Sequence, residues 1–289
     1  MIVRKILKKI LNVFLLFVVT VVLTIIMKVF LFASFKIPSL SMDPSIIDGD
    51  HLLVNKLTLG PRLYENFGFL KGKKTRMKRI PGLCKVKRND VLVFDFPYST
   101  SDKIRQGGNV FYVKRCVALP GDTFYIENGF YKIKGINVSL GYLKRQKEIS
   151  EKNDTLFTND LFYTFPKDTT HFRWTIKNFG PLYVPAKGDI IKIDSVSVIL
   201  YKNLIEYETE KTISVKNGDI YLGDSIIHSH TFRQDYYFMS GDWIPESIDS
   251  RQWGLLPDDL IIGKAAIIWK SQDMNTNKYR WDRFLKMVK

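Results

Sequence analysis

The chain has 289 residues, 45% of them hydrophobic, which is enough for one large or two modest domains with a real core and excludes a largely disordered protein. Its formal net charge is +15, which in a soluble chain would point to nucleic acid. Part of that charge has another explanation, because Arg4, Lys5, Lys8 and Lys9 directly precede a long apolar run.

Residues 1–9 read as a basic cytoplasmic flank and residues 10–35 as a transmembrane anchor. The run is interrupted only by Asn12, Thr20, Thr24, Lys28 and Ser34. Ile10 to Met27 is long enough to cross a hydrocarbon core once, with Lys28 snorkelling to the far interface. A cleaved signal peptide has an apolar region of only about 7–15 residues, so a retained anchor is the better reading. With the basic end inside, everything after Phe35 lies on the outer side of the membrane, and the basic surface there suits anionic lipid.

Directly after the anchor comes FKIPSLSMDPSIIDGDHLLVNK, Phe35 to Lys56. Pro38 and Pro44 restrict the backbone around Ser39 and Ser41 and bias Ile37 and Asp43 toward extended conformations. A hydroxyl held in a stiff segment is a candidate nucleophile, although a membrane-proximal linker that merely contains serines has the same composition.

Strand after strand follows. Leu52–Val54 comes after Asp48-Gly49, Val91–Phe96 after Asn89-Asp90, and Val110–Leu119 stops at Pro120-Gly121. Phe124–Ile126 and Phe130–Ile133 flank Asn128-Gly129, and Ile213–Val215 and Ile220–Leu222 flank Asn217-Gly218, both hairpin signatures. Asp235–Ser240 and Ile261–Trp269 are further apolar strands. The predicted class is mainly β: an antiparallel β-rich domain over 36–140 and 217–289, without a dominant helical period outside the anchor. Gly60–Lys87 reads as a long connection, and the polar, aromatic stretch 141–216 as an inserted, irregular subdomain.

Cys84 and Cys116 have no CxxC or ligand spacing, so they are expected as free thiols and no structural zinc is expected. None of His51, His171, His228 and His230 sits in a triad-like context. Lysine offers a better base. In FYVKRCVAL, Lys114 interrupts an apolar strand on the face shared by Tyr112 and Cys116. An ammonium buried there either finds a carboxylate or loses its proton, whereas on a solvated face it is an ordinary lysine.

The blocks IPSLSMDPS, RNDVLVFDFP, FYVKRCVALPGD and YYFMSGDWIPESIDSRQWGLLP with IIGKA, in this order behind an apolar N-terminal segment, resemble the motif set of bacterial type I signal peptidases. The resemblance covers most of the chain outside 60–87 and 141–216. It implies a membrane-anchored serine endopeptidase of the bacterial inner membrane that removes signal peptides from exported precursors, with no cofactor and no nucleic-acid partner. It further implies Ser41 as nucleophile, Lys114 as general base, and the Ser39 hydroxyl with the Ser41 N–H as oxyanion donors. Ser247 is then expected to hydrogen-bond and orient the lysine, with Asp249 and Arg251 as a supporting ion pair. Ile37, Pro38, Met42, Ile46, Tyr112 and Val113 occupy the positions of the substrate pocket walls, where an extended substrate presents small side chains. One departure stands out: where most members carry Asn-Arg after Gly-Asp, this chain has Trp243-Ile244, followed by Pro245-Glu246. An inactive or narrow-specificity relative, and a basic membrane-anchored binding module, are the alternatives.

Overall fold

The computed structural model describes residues 2–64, 77–98, 101–106, 110–168 and 170–289. The apolar run forms an α-helix over Ile2–Ile26 that continues as one π-helical turn, Met27–Leu31. Its two hydroxyls are absorbed within the helix: Thr20 Oγ1 donates to the Leu16 carbonyl and Thr24 Oγ1 to the Thr20 carbonyl, each at 2.8 Å. The stretch Arg4–Leu31 is 28 residues long and contains an 18-residue window with a mean hydropathy of 2.9, long and apolar enough to cross a membrane.

The helical run stops short of the expected Phe35. Phe32–Lys36 is instead an edge strand, antiparallel to Asp50–Asn55 with Phe35 opposite Leu52. The cause lies in Lys56, whose Nζ donates to the Lys28 carbonyl at 2.7 Å and whose N–H donates to the Leu31 carbonyl at 2.9 Å. Those bonds satisfy carbonyls that another helical turn would otherwise have used.

Among the described residues the main sheet has eight strands. Its path runs through Phe32–Lys36, Asp50–Asn55, Ile261–Ser271, Val91–Asp95, Phe111–Ala118, Tyr236–Ser240 and Leu256–Pro257, and Lys286–Met287 pairs with Ile261–Ser271. Every paired contact in it is antiparallel. The period of two separates the cores on its faces. Val91 and Val93 pack with Ile37, Met42, Ile46, Leu52 and Val54, while Leu92 and Phe94 pack with Cys116, Phe124 and Phe238.

The segment 141–216 packs into the second of these cores through Ile149, Phe179, Leu182, Leu204 and Ile205. Its strand Phe179–Tyr183 pairs with Thr123–Glu127, which also forms the expected hairpin with Phe130–Ile133. Within this mainly β fold the segment also carries the α-helices Leu143–Glu151 and Ser195–Thr209. The second begins at a capping box in which the Asp194 side chain accepts from the Ser197 N–H at 2.8 Å and Ser197 Oγ accepts from the Asp194 N–H at 2.7 Å. Tyr201, Leu204 and Ile205 then fall on one buried face. Within the connection 60–87, Arg62–Tyr64 pairs with Met77–Arg79, and residues 65–76 lie outside the described residues. Cys84 is exposed, Cys116 is buried, and both are free.

Candidate active site

Ser41 opens a turn instead of lying in the extended segment that its flanking prolines predict. The Asp43 N–H donates to the Leu40 carbonyl at 2.8 Å and the Ile46 N–H to the Met42 carbonyl at 3.0 Å. The approach to the turn is fixed where Ile37 donates to the Asp50 carbonyl and accepts from the Gly49 N–H, both at 2.8 Å. A second contact holds the turn from the far side, since the Trp243 N–H donates to the Ser41 carbonyl at 3.1 Å. Asp242 beside it receives Arg115 Nε at 2.7 Å and Nη2 at 2.6 Å, and also the Ser45 hydroxyl. This bidentate, buried pair ties the turn to the Lys114 strand.

Lys114 is 4% exposed and Ser41 8%, and Lys114 Nζ stands 2.6 Å from Ser41 Oγ. Tyr112 shares the lysine's strand face, as the period of two predicts, with its ring centroid 5.3 Å from Nζ. Ser41 Oγ is the one hydrogen-bond partner of Nζ among the described residues. An ammonium with three donors and a single partner, out of water, is poorly satisfied. Burial accordingly pulls the Lys114 pKa down to about 8, with Asp249 and Asp242 opposing the change and Arg251 adding to it.

Asp249 organises the floor of the site. Its Oδ2 accepts from the Gly241 N–H at 2.8 Å, Ser247 Oγ at 2.7 Å and Arg251 Nη2 at 2.6 Å; its Oδ1 accepts from the Arg251 N–H at 3.1 Å and Nε at 2.8 Å. Burial alone would raise this carboxyl, but Arg251 and the N–H and O–H donors together hold it below its usual value. Arg251 is held above its own value because Asp249 outweighs the cost of burying the guanidinium. Ser247 stands beside this pair. Its proton goes to Asp249, and no hydrogen bond joins it to Lys114 among the described residues.

In front of Ser41 and Lys114 lies a cleft of about 410 Å³. Of the expected wall residues, Ile37, Pro38, Met42, Tyr112 and Val113 line it; Ile46 does not, being wholly buried behind the turn in the core. Ser39 is exposed on the cleft and its hydroxyl makes no hydrogen bond among the described residues. The Ser41 N–H likewise meets no acceptor among them. No histidine lines this cleft; His230 instead bonds Glu208 at 2.9 Å. Among the described residues no group of three or more His, Cys, Asp or Glu is placed to hold a metal ion.

Sequence reasoning missed two features. Arg115 and Asp242 stand inside blocks that drew attention for Lys114 and Ser247, so adjacency was the available signal. Arg145 gave none: from the helix Leu143–Glu151 its Nη2 donates to Asp43 at 2.9 Å, and its guanidinium sits 5.3 Å from the Trp243 ring. The Trp243 loop is thus braced by a residue of the segment 141–216.

The chain is similar to the Signal peptidase I of Buchnera aphidicola subsp. Schizaphis graminum, 28% identical over 267 residues that cover 88% of this chain and 73% of the relative. It is also similar to the Signal peptidase I of Pseudomonas aeruginosa, 28% identical over 256 residues, covering 85% and 67% of the two chains. The crystal structure of a signal peptidase I from Enterococcus faecalis V583 matches with 19% identity and a TM-score of 0.30, covering 62% of this chain and 96% of that one. The family profile described as signal peptidase, peptidase S26, matches residues 10–270, and the chain therefore belongs to that family.

Proposed function

We propose that the chain is a membrane-anchored serine endopeptidase that removes signal peptides from exported precursors through a Ser41/Lys114 dyad. The observation that carries the reading is the 2.6 Å approach of Lys114 Nζ to Ser41 Oγ at the base of an open cleft, with the lysine's pKa lowered to about 8. Its relatives named Signal peptidase I support the same substrate class.

Neutral Lys114 Nζ takes the proton of Ser41 Oγ as the oxygen attacks the scissile carbonyl carbon. The resulting oxyanion is met by the Ser41 N–H and the Ser39 hydroxyl, both free to donate. On collapse the C–N bond breaks, the leaving amine takes the proton from the Lys114 ammonium, and an ester to Ser41 remains. Water, deprotonated by Nζ, then hydrolyses the ester and restores the serine. Ser247, Asp249 and Arg251 hold the Gly241–Trp243 backbone against the nucleophile turn and do not react.

The substrate lies extended in the cleft, and Ile37, Pro38, Met42, Tyr112 and Val113 restrict the side chains next to the cut. Residues 36–140 and 217–289 carry the chemistry and 141–216 is the inserted part that buttresses it. The N-terminal helix anchors the enzyme in the bacterial inner membrane with its basic end in the cytoplasm, so the cleft opens on the outer side, where a precursor leaves the bilayer.

The test is cleavage of a precursor peptide carrying Ala-x-Ala before the cut, with the full chain in detergent or vesicles. Wild type should cut it and Ser41→Ala should not; normal cleavage by Ser41→Ala would overturn the assignment.

A further inference from the structure

The loop that departs from the family pattern reaches the cleft. Glu246 and Ile248 line it together with the walls built from Phe35–Ser41 and Val110–Lys114, and Glu246 is the one acidic residue among the lining residues. Its side chain is exposed and makes no hydrogen bond or ion pair among the described residues, in a chain whose net charge is +15.

The carboxylate is held on a supported loop. Ile244–Glu246 forms a 3₁₀ turn with Pro245 in its first positions; the Glu246 N–H donates to the Trp243 carbonyl at 3.1 Å and the Ser247 N–H to the Ile244 carbonyl at 3.4 Å. Arg251 Nη2 reaches the same Ile244 carbonyl at 3.4 Å, and Arg145 lies against Trp243. The next residue, Ser247, is packed on Gly241 and through it on the Ser41 backbone, so the loop approaches the cleft at its reacting end. The cleft's other charges are placed differently: Lys114 is buried against Ser41, and Lys36 ends the strand that leads toward it.

We propose that Glu246 is a specificity-determining residue that makes the cleft select a basic side chain close to the scissile bond. A bound peptide takes water away from the carboxylate, which then needs a counter-charge. A lysine or arginine of the substrate supplies it, an alanine leaves the carboxylate unpaired, and a glutamate adds repulsion. The inference rests on the peptidase reading above.

The experiment uses the full chain and a neutral Ala-x-Ala peptide, with Lys, Ala or Glu placed in turn at successive positions on either side of the cut. At one position wild type should favour Lys over Glu by about five- to tenfold in kcat/KM, the size of an attraction and a repulsion at an exposed carboxylate that the bound peptide partly covers. High salt should shrink that ratio. Glu246→Gln should bring it to about one and Glu246→Lys should reverse it. A Lys-to-Glu ratio that is the same in wild type and Glu246→Gln at every position overturns the inference while leaving the peptidase reading intact, since the neutral peptide is still cut. Failure to cut any of the peptides overturns both.

Discussion

A Cβ placed on Gly241 would stand 2.1 Å from Ser247 Oγ and 2.6 Å from the Ser41 carbonyl oxygen. Only a glycine lets the backbone pass between the nucleophile turn and the Asp249 network, and neither neighbour is a flexible chain end that can give way. Gly241→Ala should therefore cost about 1–3 kcal/mol of stability and displace Ser41. A thermal melt and kcat/KM on the same preparation check this, with cleavage expected to fall at least about tenfold because small misplacements of reacting groups are costly.

Asp249 and Arg251 form a buried pair in which the carboxylate is fully hydrogen-bonded. Removing one partner leaves the other charge uncompensated, so Asp249→Ala should destabilise the fold by about 3–5 kcal/mol, measured by denaturant unfolding. The lowered Asp249 pKa sets the sign of the pH dependence. The pair's contribution is complete above the unfolded carboxyl value and is lost as pH falls through the lower folded value. Stability of the variant should lack that acid limb.

The same linkage runs the other way at Lys114. Its pKa drops from 10.5 to about 8 on folding, so the unfolded chain holds more protons between those values and stability rises with pH across that window. Below about pH 8 the burial penalty is fully present, of the order of 3 kcal/mol. Lys114→Met, similar in volume, should be inactive yet more stable than wild type at pH 7, and the gain should shrink toward pH 10.5.

Ser39 is exposed and carries no packing role, so Ser39→Ala should leave the thermal midpoint near its wild-type value. As an oxyanion donor it acts in the transition state alone. Its loss should lower kcat about a hundredfold with little change in KM, read from steady-state cleavage of the precursor peptide.

The central strands of the main sheet were legible because they are short β-branched and aromatic runs bounded by Asn-Gly, Pro-Gly or Asp-Gly turns, and Phe124 to Ile133 kept its hairpin, whereas the short peripheral strands carry no such signal. The helix Ser195–Thr209 was hidden by its Val-Ser-Val-Ile-Leu start, which has strand propensity, while the Asp194 and Ser197 cap that overrides it is a local signal that was overlooked. Phe32–Lys36 could not be told from the anchor, since one apolar run serves both and the boundary is set by Lys56, far along the chain. In the site, residue type and context made Ser41 and Lys114 no more than candidates, and the resemblance to type I signal peptidases supplied their expected roles. The Trp243 contact behind Ser41 and the Arg145 clamp depend on long-range packing that no local pattern encodes, whereas the Ser247–Asp249 bond spans only two residues and the resemblance pointed its serine to Lys114 instead.

The dyad is tested most directly by the pH dependence of kcat/KM for precursor cleavage, with Lys114→Arg alongside. The account predicts a rise of about tenfold per pH unit that levels off near pH 8, where burial has brought the lysine, and no cleavage by the arginine variant, whose guanidinium keeps its proton. A profile flat from acid to alkaline pH, or an active Lys114→Arg, would contradict it.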